Sequence, residues 1–353
     1  MKHALIIQTA FLGDVILTLP LVQALKRSFP DCEVDFVAIP DTALILKSHP
    51  DIARVIVYDK HGSHGSLRSF LSLGKSLHNM NYDYVLSPHR SLRSCLLVKR
   101  TRAATRVGFD RSVLRRVFTD VVPWKLGVHD IDRNLSLLRP LGITVEREGP
   151  RLFVTDDQRS DAEKFLHENG VKSPYIVIAP GTVWPTKRYL VERMAEVADE
   201  LLGRFEYVVV IGGPKDKEFE GAFNLSGGKI VSAIGKLSIM SSAEIIRRAA
   251  LLIANDSAPV HVASAFDTPT VAIFGPTVKE FGFYPYHRKS IVVETEGLLC
   301  RPCSIHGGRT CPTGTFDCMR KIMPDTIVEK ALALLETRPK TVTAEALPTG
   351  RQA

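Results

Sequence analysis

The chain has 353 residues, of which 45% are hydrophobic and 24% are charged, and its formal net charge is +8. This length favours two domains, and the composition is that of a globular protein rather than a disordered chain. No apolar run reaches the roughly 18 uncharged residues of a membrane span. The apolar N-terminus is interrupted at Gly13 and Asp14 and has no small-residue cleavage site, so we expect no signal peptide and a cytoplasmic protein.

Strand-like and helix-like patterns alternate along the first half of the chain. The predicted strands are 4–8, 33–39, 54–58 and 84–87, and the predicted helices are 14–29, 43–48, 67–80 and 130–141. A parallel sheet is typical of such alternation.

The same alternation returns in the second half. The predicted strands are 175–178, 207–211, 251–254 and 270–274, with helices at 156–169, 189–202, 243–250 and 323–335 and a short helix between the last two strands. The sequence therefore predicts an α/β protein with two Rossmann-like domains facing across a cleft. We place them at 1–155 and 156–336, followed by a disordered tail at 337–353.

The positive charge is concentrated between residues 86 and 116. This segment has nine basic residues and one acid, Asp110; the basic residues are Arg90, Arg93, Lys99, Arg100, Arg102, Arg106, Arg111, Arg115 and Arg116. A solvated face, an anionic membrane surface, a phosphorylated substrate and nucleic acid are all compatible with this charge. Phe109 is the only aromatic residue inside the segment, which disfavours the base stacking that single-stranded nucleic acid requires.

The loop after the first predicted strand carries Gly13 and Asp14. Asp14 fits either a helix cap or a carboxylate that faces the cleft as a general base. Gly13 is expected to allow a sharp turn. The loop has no GxGxxG fingerprint, which disfavours a dinucleotide oxidoreductase. It does not have the pattern of a P-loop either.

Two further loops follow predicted strands of the second half. Gly181, Thr182 and Lys187 supply backbone N–H groups, a hydroxyl and an ammonium that suit a diphosphate, although an ordinary loop with a solvated lysine has the same pattern. Asp256 and Ser257 lie at a helix N-terminus, which favours anions.

A serine hydrolase is disfavoured at this helix. The segment around Ser257 lacks both glycines of the GxSxG elbow. His261 follows on the same helix and is equally compatible with a structural histidine.

Four cysteines cluster near the end of the chain, in the pattern C-x2-C-x7-C-x6-C; they are Cys300, Cys303, Cys311 and Cys318. A structural metal site and free or redox-labile thiols are both compatible with this spacing. We expect no catalytic metal, because no His and carboxylate cluster with ligand spacing accompanies the cysteines. The isolated Cys32 and Cys95 are expected to be buried thiols.

Four stretches taken together resemble glycosyltransferase family 9, and within it the ADP-heptose:lipopolysaccharide heptosyltransferases, with heptosyltransferase II as the best match. They are FLGDVILTLPLVQALK at 11–26, PGTVWPTKRY at 180–189, ANDSAPVHVASAFDTPTVAIFGPT at 254–277 and CRPCSIHGGRTCPTGTFDCM at 300–319. The resemblance covers about residues 1–335. It implies a GT-B fold and an inverting transfer that needs no metal or other cofactor.

The resemblance also implies the substrates and the site. The donor would be ADP-heptose, and the acceptor a lipid-linked, Kdo-containing core met at the inner face of the membrane, with no nucleic acid involved. The implied catalytic residues are Asp14 as base and Lys187 at the leaving diphosphate; the donor side would hold Gly181, Thr182, Asp256, Ser257, Ala258 and His261, and the acceptor side Gly13, Arg90 and Arg93.

Two positions depart from the family pattern. Ala258 stands where the family often has glycine, which narrows the backbone conformations of that turn, and residues 184–186 vary from the commoner loops. Two alternatives stay open. One is a family 9 enzyme that uses another nucleotide-sugar or a surface-polysaccharide acceptor, and the other is a non-catalytic module that binds nucleotides or nucleic acid.

Overall fold

The structure, a computed structural model, describes residues 2–146 and 148–336, apart from the side chain of Ser226. The tail at 337–353 and its predicted disorder fall outside these residues. In the described part, twelve strands form two six-stranded sheets, and all the paired strands are parallel.

The first sheet has the strand order β3-β2-β1-β4-β5-β6. Its strands are β1 (His3–Ile7), β2 (Glu33–Ala38), β3 (Arg54–Val57), β4 (Tyr84–Ser87), β5 (Thr105–Phe109) and β6 (Asp120–Val122). The helices of this half are α1 (Leu12–Ile16), α2 (Leu19–Ser28), α3 (Pro40–Ala43), α4 (Leu67–Asn79), α5 (Leu92–Thr101) and α6 (Asp130–Ser136).

The second sheet has the order β9-β8-β7-β10-β11-β12. Its strands are β7 (Tyr175–Ala179), β8 (Tyr207–Val210), β9 (Ile230–Ser232), β10 (Leu251–Asn255), β11 (Thr270–Phe274) and β12 (Ser290–Glu294). Its helices are α7 (Asp156–Glu168), α8 (Val191–Leu201), α9 (Ile239–Arg248), α10 (Ala258–Phe266), α11 (Asp317–Arg320) and α12 (Pro324–Glu336). Counted along the chain, both sheets have the order 3-2-1-4-5-6, so the prediction of two Rossmann-like halves is confirmed.

Several predicted elements need correction. The predicted helix 14–29 is two helices, α1 and α2, because Pro20 lies in the first turn of α2 and has no N–H to continue the ladder from α1. The predicted helix 43–48 is displaced to α3, which also has a proline in its first turn. Elements that were not predicted include α5 and β5 inside the basic segment, and β6, β9 and β12 outside it.

Each sheet has a switch point where the strand order reverses, between β1 and β4 in the first half and between β7 and β10 in the second. These four strands are almost entirely buried. Ligands of doubly wound folds bind at the carboxyl ends of strands beside such a point. The segments that leave these ends are 8–14, 88–91, 180–190 and 256–258, and they carry most of the polar residues singled out in the sequence.

Two packed contacts hold the halves together. Helix α1 packs against α10. The segment 279–286, between β11 and β12, hydrogen-bonds to the start of α6, where Asp130 N donates to Gly282 O at 2.9 Å and Arg133 Nη2 donates to Phe281 O at 2.6 Å. The division at residue 155 stays a prediction. None of the helices in the described part is both long and apolar enough to cross a bilayer.

Candidate active site

Two adjoining cavities occupy the cleft between the halves. The first, of about 470 Å³, is lined from both halves. The second, of about 480 Å³, lies mostly against the first half. Both cavities are lined by Phe11, Ile39, Phe283, Ile305, His306 and Asp14. Among the described residues, Asp14 is the only carboxylate that lines both cavities, so it lies where they adjoin.

Asp14 lies in the first turn of α1 and is partly exposed to the cleft. The pKa of its carboxyl is raised from 3.8 to about 7, mainly by burial and also by the nearby Asp130 carboxylate. Backbone hydrogen bonds and the Lys187 ammonium oppose that rise. A carboxylate with a pKa near neutrality is well suited to accept a proton from a substrate hydroxyl.

Asp130 is a second carboxylate in the second cavity, and the sequence analysis did not single it out. Its Oδ1 accepts from Arg133 Nη2 at 2.9 Å, and its Oδ2 accepts from Asn134 Nδ2 at 3.2 Å. Asn134 Nδ2 also donates to Leu17 O, at the end of α1, at 3.1 Å. These bonds fix the start of α6 against the helix that carries Asp14.

The two carboxylates lead to a prediction about pH. We expect kcat to fall as the pH decreases below about 7, because protonated Asp14 cannot accept a proton. Asp130→Asn removes a negative charge near Asp14, while Lys187 and Arg90 remain. The pKa of Asp14 should therefore fall, and the acid limb of the pH profile of kcat should move to lower pH. A profile between about pH 5 and pH 9 tests this, and an acid limb unmoved by Asp130→Asn would contradict the assignment.

Lys187 ends the short helical turn Pro185–Lys187 and points into the first cavity. Its Nζ lies 2.6 Å from Asp256 Oδ2, and Thr277 Oγ1 donates to the same oxygen at 2.6 Å. Both charged side chains are largely buried, with 14% and 6% exposed. Asp256 is therefore the counter-ion of Lys187 in this structure, which the sequence analysis did not anticipate.

The loops that carry these two charges are joined by Asn255, which was not singled out in the sequence. The buried Asn255 accepts from Tyr189 N at 2.9 Å through Oδ1 and donates to Pro180 O at 2.8 Å through Nδ2. The Asn255 side chain thus connects the end of β10 with both ends of the segment 180–190, which we call the Lys187 loop. Its position follows from the parallel pairing of β7 with β10, which local sequence does not show.

The N-terminus of α10 lines the first cavity with Ser257, Ala258 and His261. Ala258 is the first residue of α10 and is not among the residues with positive φ, so alanine is accommodated there. Burial lowers the pKa of His261 to about 3, with Lys187 contributing, so its imidazole is neutral. Its buried Nδ1 has no hydrogen-bond partner among the described residues.

Gly13 is required for a different reason from the predicted one. It lies inside α1 without a positive φ, so it makes no special turn. A Cβ atom at this position would lie 2.8 Å from Cδ2 of the buried His261 ring. Glycine therefore permits the close approach of α1 to α10, at the contact between the two halves.

This contact predicts the outcome of a substitution. Gly13→Ala should lower the free energy of unfolding by about 1–3 kcal/mol, because the added Cβ atom would lie too close to the buried His261 ring unless one of the two helices shifts. In a His261→Ala background the same Gly13→Ala change should cost much less. Thermal or denaturant unfolding of the four proteins of this double-mutant cycle tests the contact, and equal costs in both backgrounds would contradict it.

The structure places the remaining two donor-side residues, Thr182 and Gly181, differently with respect to the first cavity. Thr182 lines the first cavity, but its hydroxyl donates to Trp184 O at 2.8 Å and accepts from Trp184 N at 3.0 Å. It shapes the loop rather than offering a free proton. Gly181 is not among the lining residues, and a Cβ there would lie 2.4 Å from Asp216 Oδ1.

On the acceptor side, Arg90 lines the second cavity and stacks on Trp124, with 4.7 Å between its guanidinium carbon and the ring centroid. Arg111 stacks on the same ring at 5.0 Å. Neither guanidinium forms an ion pair with a described carboxylate, so both are available to an anion. Arg93 lies outside both cavities, where its Nη1 donates to Tyr58 Oη at 2.9 Å.

The cysteine-bearing segment contributes to the cavities in a way that the spacing did not predict. Its residues Ile305 and His306 line both cavities. Thr186 N donates to Gly308 O at 3.1 Å, and Gly308 N donates to Thr186 Oγ1 at 2.7 Å, which fastens this segment to the Lys187 loop.

The six cysteines are free in the described structure. Cys32 and Cys95 are buried, as predicted, and so is Cys318, whereas Cys300 and Cys303 are exposed and Cys311 is intermediate. The described side chains include no group of three or more His, Cys, Asp or Glu placed to hold a metal ion.

A family model for glycosyltransferase family 9 (heptosyltransferase) matches residues 70–312. The chain belongs to glycosyltransferase family 9. It is therefore an enzyme of the glycosyltransferase class, and the family predicted from the four motif stretches is confirmed.

Individual family 9 proteins agree with this assignment. Lipopolysaccharide heptosyltransferase 3 of Escherichia coli K12 is 30% identical over 276 residues, which are 75% of this chain and 80% of that protein. A family 9 glycosyl transferase from Veillonella parvula has a TM-score of 0.84 at 26% identity, over 95% of this chain and 97% of that one. ADP-heptose lipopolysaccharide heptosyltransferase II of E. coli has a TM-score of 0.76 at 23% identity, over 95% and 99%. The predicted GT-B fold is confirmed.

Proposed function

We propose that the enzyme transfers heptose from ADP-heptose to the inner core of lipopolysaccharide, with inversion at the anomeric carbon and without a metal ion. The observation that carries the proposal is the position of Asp14 on the wall shared by two cavities, one of which ends at Lys187 and the N-terminus of α10. A base lies between a site for a diphosphate and a site for an anionic acceptor.

The donor fits the first cavity. The N-terminus of α10 directs its positive dipole end toward it, and Lys187 supplies a full positive charge. His261 stays neutral beside them. The relatives named for ADP-heptose and for heptosyl transfer support this choice of donor.

The acceptor fits the second cavity, where Arg90 and Arg111 are available to phosphate or carboxylate groups of a lipid-linked, Kdo-containing core. Asp14 takes the proton of the acceptor hydroxyl, and the resulting oxygen attacks the anomeric carbon from the face opposite the diphosphate. The bond between that carbon and the diphosphate oxygen breaks as the new glycosidic bond forms. Lys187 and the positive end of the α10 dipole stabilise the negative charge that develops on the leaving group.

The test is release of ADP from ADP-heptose, measured with and without a core acceptor that lacks the heptose in question. We expect acceptor-dependent release and an acceptor mass increased by one heptose. Other nucleotide-sugars and a surface-polysaccharide acceptor serve as comparison arms, and faster turnover with any of them would replace the proposed substrates. Binding of ADP-heptose without turnover on any acceptor would favour the non-catalytic module.

Metal independence and inversion need their own measurements. We expect ADP release to be unchanged after treatment with a chelator, and the anomeric configuration of the product, determined by NMR, to be opposite to that of the donor. Loss of turnover on chelation that returns with a divalent cation would contradict the metal-free mechanism.

A further inference from the structure

An exposed rim of the first half borders the second cavity, whose lining includes Lys60, Arg90 and Arg111. We define the basic rim as residues 58–68, 88–93 and 110–113, which follow β3, β4 and β5. These strands are parallel, so their carboxyl ends lie at one edge of the sheet. The three segments touch one another, since Val113 N donates to Arg90 O at 3.0 Å and Arg93 Nη1 donates to Tyr58 Oη at 2.9 Å.

The basic rim has an excess of positive charge. It has five Lys and Arg residues and two Asp residues; the cations are Lys60, Arg68, Arg90, Arg93 and Arg111. Both carboxylates accept hydrogen bonds from backbone N–H groups: Asp59 accepts from Gly62 N at 2.8 Å, and Asp110 accepts from Trp124 N at 2.9 Å. The rim therefore presents a net positive surface.

Three large apolar side chains project from the same rim. Leu67 is 74% exposed, Leu92 is 48% exposed and Val113 is 63% exposed. Leu67 and Leu92 are the first residues of α4 and α5, and Val113 follows β5. Exposed apolar side chains among cations fit the interface of a bilayer that carries anionic lipids, where the apolar groups enter the acyl boundary and the cations meet the headgroups.

We propose that the basic rim docks this enzyme on an anionic lipid bilayer, so that a lipid-linked acceptor enters the second cavity from the membrane plane. The statement about the acceptor rests on the proposed function, whereas the binding to lipid does not. RNA is a less suitable partner for the basic rim. Tyr58 is the one Phe, Tyr or Trp residue of the rim, and because it is only 1% exposed it cannot stack on a base.

The experiment is co-sedimentation with vesicles of phosphatidylcholine alone and with about a quarter of phosphatidylglycerol. We expect binding only to the anionic vesicles, and weaker binding as salt rises from about 0.1 M to 0.5 M. The rim variant, Leu67→Ser and Leu92→Ser with Arg68→Glu, should bind roughly ten-fold or more weakly.

The matched control carries Leu299→Ser, Met323→Ser and Lys172→Glu, which change exposed apolar and basic side chains of the second half, and it should bind as the parent does. Turnover on a deacylated, water-soluble core acceptor separates docking from catalysis, and the rim variant should keep it. Equal binding to neutral vesicles, an unaffected rim variant, or tighter binding to single-stranded RNA than to anionic vesicles at the same salt would each overturn the proposal. If the parent shows no turnover but the vesicle results hold, the proposed function fails and the docking surface stands.

Discussion

Asp14→Asn is expected to lower kcat by about 10²–10⁴-fold, with little change in the affinity for ADP-heptose. The amide has nearly the same size as the carboxylate but cannot take the acceptor proton. Donor affinity should be maintained because Lys187 and the N-terminus of α10 remain in place. Single-turnover kinetics with saturating acceptor, combined with calorimetric binding of the donor, separate the two quantities.

The stability of the same variant provides its control. The pKa of Asp14 is raised from 3.8 to about 7 in the folded protein, so its ionisation lowers the free energy of unfolding between these two pH values, and the full loss is present above pH 7. Removing the charge should therefore leave the Tm at pH 8 equal to or above that of the parent. A large loss of Tm would show that the lost activity reflects misfolding, and near-normal kcat in a folded variant would remove Asp14 from the role of base.

Buried parallel strands were predictable from local sequence. β10 and β11 are fully buried and consist of nearly continuous apolar runs, which is the pattern that a strand covered on both faces requires. Their polar ends, including Asp256, could then be placed at the ligand-binding edge of a sheet. The parts of the site that follow strand ends therefore came from sequence alone.

Elements inside the basic segment were not predictable in the same way. In α5 the polar and basic residues Arg93, Lys99 and Arg100 cover the exposed face and dilute the apolar pattern of the buried one. β5 is short and begins with a threonine and an arginine. Net charge indicated a functional region here, but it did not reveal the helix and strand that position Arg90.

The residues missed by sequence reasoning depend on contacts between distant parts of the chain. Asp130 influences Asp14 because α6 packs against α2 and is tied to the end of α1 through Asn134. Gly13 is required by His261, which belongs to the other half. Such pairs have no fixed spacing along the chain, so only the folded structure identifies them.

Lys187→Met is the second substitution expected to have a large effect, lowering kcat by about 10²–10³-fold. Methionine retains much of the apolar stem but removes the charge that stabilises the leaving diphosphate. Because the charge on that group grows toward the transition state, kcat should fall more than donor affinity does. Lys172→Met, at an exposed site of the second half, is the matched control and should leave both unchanged.

A double variant distinguishes two explanations for such a loss. Lys187 is paired with the largely buried Asp256, so Lys187→Met also leaves that carboxylate without its cation. If neutralising Asp256 were the main role of Lys187, then adding Asp256→Asn to Lys187→Met would restore both stability and kcat. If Lys187 acts on the diphosphate, the double variant should regain stability but remain about 10²-fold or more below the parent in kcat. We expect the second result, because the ammonium lies in the wall of the cavity beside the N-terminus of α10 and can transfer from Asp256 to an incoming diphosphate.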